Sequence, residues 1–130
     1  MHPSNSSNVN VSALPKIKVI SVGILPELLA LREAVLETAG FQVFTTSSEK
    51  HALLRIENSG CAVLLLCYAL DDETRERLIE KFREKCPTGR IVALANSPMS
   101  QPPAEADAFV YGVEGAEALI EAVSGKNPIR

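Results

Sequence analysis

The feature that most constrains this chain is an unbroken apolar run, AVLLLC, from Ala62 to Cys67. Successive side chains of a β-strand point to opposite faces of a sheet, so a strand that is apolar at every position needs cover on both faces. Parallel sheets with helices on both sides provide that cover. The run therefore predicts the central strand of a parallel sheet in an α/β protein.

Short β-branched runs alternate with longer amphipathic segments along the rest of the chain, which is typical of strand–helix–strand units. Pro26 suits the first turn of a helix and Gly40 suits a helix end. The predicted strands are 17–22, 41–45, 62–67, 90–95 and 108–111. The predicted helices are 26–39, a segment between Ser47 and Gly60, a segment between Asp71 and Pro87, and 116–123.

The first predicted helix carries more leucine than one buried side requires. Leu28, Leu31 and Val35 recur at the i, i+3, i+7 spacing, so they are predicted to face the sheet. Leu29 and Leu36 are then expected to form an exposed flank, which would be available to a partner.

Two aspartates follow the central strand, and they allow two interpretations. Asp71 and Asp72 could bind a metal ion, but their place directly before a helix favours capping and complementation of the helix dipole. Within that helix, Glu73 and Arg77 have the spacing of a surface ion pair. Capping is the interpretation we adopt.

The connection between the fourth and fifth strands, residues 96–107, contains three prolines, Pro98, Pro102 and Pro103. Proline removes a backbone donor and clashes with the preceding helical turn, so a regular helix of normal length is excluded there. A helix in this place is predicted to be shortened or lost.

Length and charge limit the possible classes of protein. The chain has 130 residues, the size of one domain, and its net charge is -3 with no basic stripe, which argues against binding of nucleic acid. Its longest apolar run is about half of the roughly 20 residues that a membrane helix needs. Residues 1–15, rich in Ser, Asn and Pro, are expected to be a disordered tail without a signal peptide, residues 16–125 the domain, and residues 126–130 a short tail.

The three cysteines, Cys61, Cys67 and Cys86, form no CxxC pair and no Cys/His spacing for zinc. The interpretation is that they are reduced thiols in a cytoplasmic protein without a metal or other cofactor. Cys67, at the end of the central strand, is expected to be an inert, half-buried thiol. The alternative is a reactive Cys67, which would need a lowered thiol pKa.

The segment KVISVGILPELLALREAVLETAGFQV, which begins at Lys18, resembles the first half of a response regulator receiver domain, the phosphoacceptor module of two-component signalling. The resemblance extends over residues 16–125. It implies a flavodoxin-like, doubly wound, three-layer fold with a five-stranded parallel sheet of order 2-1-3-4-5. In such sheets the ligand crevice lies at the carboxyl ends of the strands.

The resemblance also implies where a phosphorylation site should be, and this chain departs from the pattern at each position. Gly23 and Ile24 stand where the family has an acidic pair that holds magnesium, and Cys67 stands where it has the phosphoacceptor aspartate. Ala95 replaces the Ser or Thr, and Gly112 replaces the Lys. The expected protein is therefore a degenerate pseudo-receiver.

Three functions are compatible with this pattern. The leading hypothesis is a receiver domain, not an enzyme, that acts in signal transduction through binding another signalling protein, or a second copy of itself, without phosphorylation. The alternative is a thiol-based redox sensor or phosphotransfer protein that uses Cys67. A small-ligand module in the apolar crevice is the third, and no glycine-rich phosphate loop supports it.

Overall fold

The computed structural model describes residues 16–58, 62–95, 105–111 and 115–125. Each strand and helix predicted from the sequence is present, with ends that differ from the prediction by about one residue. The elements are, in order, β1 (Lys18–Val22), α1 (Pro26–Thr38), β2 (Gln42–Thr46), α2 (Glu49–Asn58), β3 (Val63–Leu66), α3 (Asp72–Lys85), β4 (Arg90–Ala95), β5 (Ala108–Tyr111) and α4 (Gly115–Ser124).

The five strands form one parallel sheet in the order β2-β1-β3-β4-β5, so the predicted flavodoxin-like fold is confirmed. Strand β3 lies at the centre and is buried at each position. Its Leu64 and Leu66 join a core with α2 and α3, while Val63 and Leu65 join a second core with α1 and α4. The apolar run is therefore covered on both faces, as its sequence predicts.

Helix α1 is rotated relative to the prediction. Leu29 and Leu36 are buried, Leu36 completely, whereas Leu31 is 59% exposed and Leu28 and Val35 are only half-buried. The predicted exposed flank is thus the core side, and that prediction is wrong. The helix has leucine on two neighbouring stripes, and periodicity cannot tell which stripe the sheet selects.

Two basic side chains on the polar side of α3, Arg77 and Lys81, bind α2. Arg77 donates to both oxygens of the Glu49 carboxylate, with a distance of 3.0 Å from Nη2 to Oε1. Lys81 and Glu57 form a second ion pair between the two helices at 3.2 Å. The predicted ion pair between Glu73 and Arg77 is therefore replaced by contacts between helices.

Arg83 ties α3 to the start of β5. Its guanidinium donates to the carbonyl oxygen of Gly89 at 3.0 Å and to Oδ2 of Asp107 at 2.9 Å. The same Asp107 oxygen accepts from the backbone N–H of Ile91 on β4 at 2.8 Å. This network positions the entry to β5 after the proline-rich connection, of which the described residues 105–107 form no helix.

The cysteines differ from the prediction at one position. Cys86, buried at the end of α3, takes part in a disulfide, whereas Cys67 is a free thiol. The prediction of reduced thiols throughout is wrong for Cys86, because pairing depends on which element ends meet in space and not on sequence spacing. Cys61 lies outside the described residues.

Several predictions fall on residues outside the described ranges. These are the two tails, 1–15 and 126–130, the Gly112 position, and residues 96–104 of the proline-rich connection. Among the described residues, no helix combines the length and hydropathy needed to cross a membrane.

Candidate functional site

The carboxyl ends of β1 and β3 lie side by side at the crevice edge of the sheet. Val22 pairs in register with Leu66, so the next residues, Gly23 and Cys67, are neighbours. The backbone N–H of Cys67 donates to the carbonyl oxygen of Val22 at 2.9 Å, which continues the ladder between the two strands. The structure therefore brings together Gly23 and Cys67, the two positions that the resemblance to receiver domains assigned to one crevice.

The crevice between Gly23 and Cys67 is filled. A Cβ atom added to Gly23 would lie 2.9 Å from Cβ of Cys67 and 3.0 Å from Cδ2 of Leu29, closer than such atoms approach without a shift. Glycine is required at residue 23 because the side chains of Cys67 and Leu29 occupy the space. An acidic side chain at residue 23 would have to displace one of them.

The crevice residues are apolar, and their exposure differs sharply. Cys67 and Ala95 are each 1% exposed, whereas Ile24 and Leu25 in the loop before α1 are 50% and 40% exposed. Ile24 thus stands in solvent where the resemblance implies a metal-binding carboxylate. The described crevice positions therefore combine two buried residues with two exposed apolar side chains.

Magnesium, which the receiver fold implies, does not fit the residues present. It prefers near-octahedral oxygen coordination with one or two carboxylates. The crevice positions offer a glycine, a buried thiol and aliphatic side chains, and the described residues contain no group of three or more His, Cys, Asp or Glu side chains placed to hold a metal.

Asp71 and Asp72 serve the start of α3, as the capping interpretation predicts. Oδ1 of Asp71 accepts from the backbone N–H of Thr74 at 2.8 Å, and Asp72 forms an ion pair with Arg75. Each carboxylate has a local structural partner. Neither belongs to a metal site within the described residues.

Two carboxylates at the α2–α3 surface have lowered pKa values. The hydrogen bond from Arg77 lowers the pKa of Glu49, opposed in part by desolvation. The hydrogen bond from the backbone of Thr74 lowers the pKa of Asp71. Both groups are more readily ionised in the folded chain than at their ordinary values of 4.5 and 3.8.

Acidification is expected to remove a small part of the stability of the protein. A carboxylate with a lowered folded pKa stabilises the fold fully above its unfolded pKa, and this contribution is lost as the pH falls through the folded pKa. The loss should begin near pH 4.5 and stay small, because both groups are at the surface. Urea unfolding between neutral pH and pH 3 or so measures it.

Glu49→Gln and Asp71→Asn should each flatten this pH dependence, since each removes one of the two groups. Glu76→Gln is the control, because it removes an exposed carboxylate that has no ion pair within the described residues. If Glu76→Gln flattened the curve as much as Glu49→Gln, the assignment to Glu49 and Asp71 would be wrong.

A groove between α1 and α4 is a second feature, which the sequence did not indicate. It has a volume of about 380 Å³ and contains Leu31, Arg32, Tyr68 and Tyr111 in its lining. Leu28, Leu31 and Val35 were visible as a stripe in the sequence but were assigned to the core. The rotation of α1 places them along this groove instead.

No protein-family model and no curated protein sequence matches this chain. Its fold is similar to those of solved receiver structures. The response regulator receiver domain protein (CheY-like) from Methanospirillum hungatei is 19% identical with a TM-score of 0.73, over 86% of this chain and 94% of that chain. The chemotaxis response regulator CheY4 of Vibrio cholerae is 16% identical with a TM-score of 0.74, over 87% and 100%.

A response regulator from Burkholderia pseudomallei, whose structure contains a phosphorylated aspartic acid, a calcium ion and citrate, is 16% identical with a TM-score of 0.69, over 83% of this chain and 66% of that chain. At these identities the likeness is one of fold. The chain therefore has the fold of receiver domains, and its chemistry must be argued from its own residues.

Proposed function

We propose that this protein is a receiver-like interaction module of signal transduction, not an enzyme, which binds another signalling protein without being phosphorylated. The observation that carries the proposal is the filled crevice. Cys67 is 1% exposed and lies against Gly23, at the position where the resemblance to receiver domains implies a phosphoacceptor.

Charge supports the same conclusion. A phosphoryl group brings about -1.5 to -2 charges near neutral pH, and it needs a cation or basic side chains to neutralise them. The described crevice positions, Gly23, Ile24, Cys67 and Ala95, supply neither. The resemblance to receiver domains assigns the phosphoacceptor position to Cys67, and this residue is a buried cysteine instead of an aspartate.

The proposed contact surface is the exposed loop at the mouth of the crevice. Ile24 and Leu25 are large apolar side chains that are 50% and 40% exposed in the loop before α1. A partner that covered these two side chains would remove their apolar surface from water, which is favourable for binding. A partner that covers them would recognise the shape of the filled crevice. Such recognition needs no phosphoryl group.

The test is capture of partners from the native cell lysate by the purified protein and by two matched variants. Ile24→Glu is expected to lose the specifically captured protein, because it places a charge in the apolar contact. Ile17→Glu is the control, since Ile17 is 46% exposed against 50% for Ile24 and precedes β1 at the opposite end of the strand. It should retain the partner.

The same capture is repeated after incubation with acetyl phosphate and magnesium. The intact mass of the protein and its captured partner should both be unchanged. A mass increase of one phosphate that is lost on substitution of a crevice residue would contradict phosphorylation independence. Equal capture by Ile24→Glu and the native protein would contradict the contact surface. A dimer mass in light scattering would show that the partner is a second copy of this chain and not another protein.

The thiol-based alternative receives no support from the described residues. A reactive cysteine needs access as well as a lowered thiol pKa. Cys67 is almost completely buried beside Gly23. We therefore retain the interaction module as the single proposed function.

A further inference from the structure

The groove between α1 and α4 is separate from the filled crevice and is lined by different residues. Leu28, Leu31 and Val35 of α1 form one wall, and Ala116 and Leu119 of α4 form part of the other. Leu94 of β4 and Val110 of β5 also line it. Its volume of about 380 Å³ lies within the range of roughly 300–1,000 Å³ that is typical of small-molecule sites.

The polar groups of the groove are few and come from a helix, a strand and a loop. Arg32 lies on α1, Tyr111 ends β5, and Tyr68 follows β3. All three side chains are half-buried. A mostly apolar cavity with a small number of polar groups at its wall is the usual composition of a ligand site, in which the polar groups orient the ligand.

Arg32 differs from the other arginines in the described ranges. Arg75, Arg77 and Arg83 form ion pairs, Arg90 donates to the carbonyl oxygen of Ala122, and Arg55 lies over the ring of Phe44. Within the described residues, Arg32 has no ion pair and no side-chain hydrogen bond. Its charge is therefore available to a ligand in the groove.

The charge and the shape of the groove together define the ligand class. A guanidinium presents a fork of N–H donors that matches a carboxylate, and a tyrosine hydroxyl can donate to or accept from a polar head group. One cation balances one negative charge, while the leucine and valine walls accommodate an apolar body. We propose that this groove binds a small amphipathic monocarboxylate, with the carboxylate on Arg32 and the apolar body between α1 and α4.

This proposal is independent of the interaction module, because it concerns another surface and another kind of ligand. The partner contact was placed on Ile24 and Leu25, and neither residue lines the groove. The ligand site could therefore fail its test while the partner contact stands, and the reverse is also true.

The experiment is a titration of the native chain, followed by backbone amide NMR, with decanoate kept well below its micelle-forming concentration. Decanol, which has the same apolar body without the charge, is the comparison ligand. Saturable shifts from decanoate are expected at α1, at α4 and at Tyr68 and Tyr111. Decanol should bind about tenfold more weakly or worse, because a charge-assisted hydrogen bond is lost.

Three variants sharpen the result. Arg32→Gln should weaken decanoate binding about tenfold or more and leave decanol binding unchanged. Ala116→Phe, which fills the groove from the exposed start of α4, should abolish binding of both ligands. Lys50→Gln removes one positive charge from an exposed site on α2 outside the groove, and it should bind decanoate like the native chain.

Several outcomes would overturn the proposal. Shifts confined to the shallow depression near Phe44, His51 and Leu54 would place the ligand elsewhere. Equal affinities for decanoate and decanol would contradict the role of Arg32. Equal losses of decanoate affinity in Arg32→Gln and Lys50→Gln would contradict it as well. Unchanged binding by Ala116→Phe with a native amide spectrum would show that the groove is not the site.

Discussion

Cys67→Asp is expected to lower the free energy of unfolding by about 3–5 kcal/mol near neutral pH, because it buries a charge without a partner. Cys67 is 1% exposed, lies beside Gly23 and belongs to the hydrophobic core, so the new carboxylate would meet neither water nor a cation. The substitution introduces the residue type of a phosphoacceptor at the position that the resemblance to receiver domains assigns to one. It does not restore the open, polar crevice that a phosphoacceptor needs.

The pH dependence separates charge from shape in this experiment. Burial raises the folded pKa of the introduced carboxyl group above its unfolded value. The cost is therefore largest above the folded pKa and decreases as the pH falls and the group becomes neutral. Urea unfolding of the variant at several pH values measures this trend.

Cys67→Asn is the matched control, since it has nearly the same shape as the aspartate variant and no charge. It should cost less near neutral pH, and its cost should not vary with pH. If both variants were equally destabilised at all pH values, the effect would be one of volume alone. If Cys67→Asp were as stable as the native chain and accepted phosphate from acetyl phosphate, the crevice would not be closed.

Phe82→Ala is expected to lower the free energy of unfolding by about 3–5 kcal/mol, the usual cost of removing a fully buried ring. Phe82 lies on α3, is completely buried, and belongs to the core that also contains Cys67. Phe109→Ala is the control. Phe109 on β5 is only half-buried, so its removal should lower the free energy of unfolding by less. Equal losses in chemical denaturation would contradict the assigned burial.

A double-mutant cycle with Gly89 tests the position of the ring. A Cβ atom on Gly89 would lie 2.5 Å from Cζ of Phe82, so Gly89→Ala should cost about 1–3 kcal/mol through overpacking. In the Phe82→Ala background the ring is gone and the same substitution should cost less. Additive losses would show that the ring tip does not contact the turn at Gly89.

The sequence predicted the elements of this fold well, because the strongest signal was local. The apolar run that ends at Cys67, the proline at residue 26 and the aspartate cap at residue 71 each act on their own segment. The sheet order was implied by the resemblance to receiver domains and is confirmed. Local signals therefore predicted the helices and strands, and the resemblance predicted their order in the sheet.

The side of α1 that faces the core could not be predicted in the same way. Leu28, Leu31 and Val35 satisfy the helical spacing as well as Leu29 and Leu36 do. Only contact with the sheet selects the second pair, and it leaves the first stripe beside α4. The disulfide at Cys86 escaped prediction for a similar reason, since pairing requires element ends to meet in space.

By itself, the sequence determined that Gly23, Ile24, Cys67 and Ala95, which the resemblance assigns to a phosphorylation site, carry neither a carboxylate nor a hydroxyl, because residue identity alone decides which charges exist. Only the tertiary structure decided that the crevice is filled, since the contact between Gly23 and Cys67 joins residues 44 positions apart (67 minus 23). The groove with Arg32, Tyr68 and Tyr111 likewise exists only after folding. Its residues become neighbours because parallel strands and the helices between them bring distant segments to one end of the sheet.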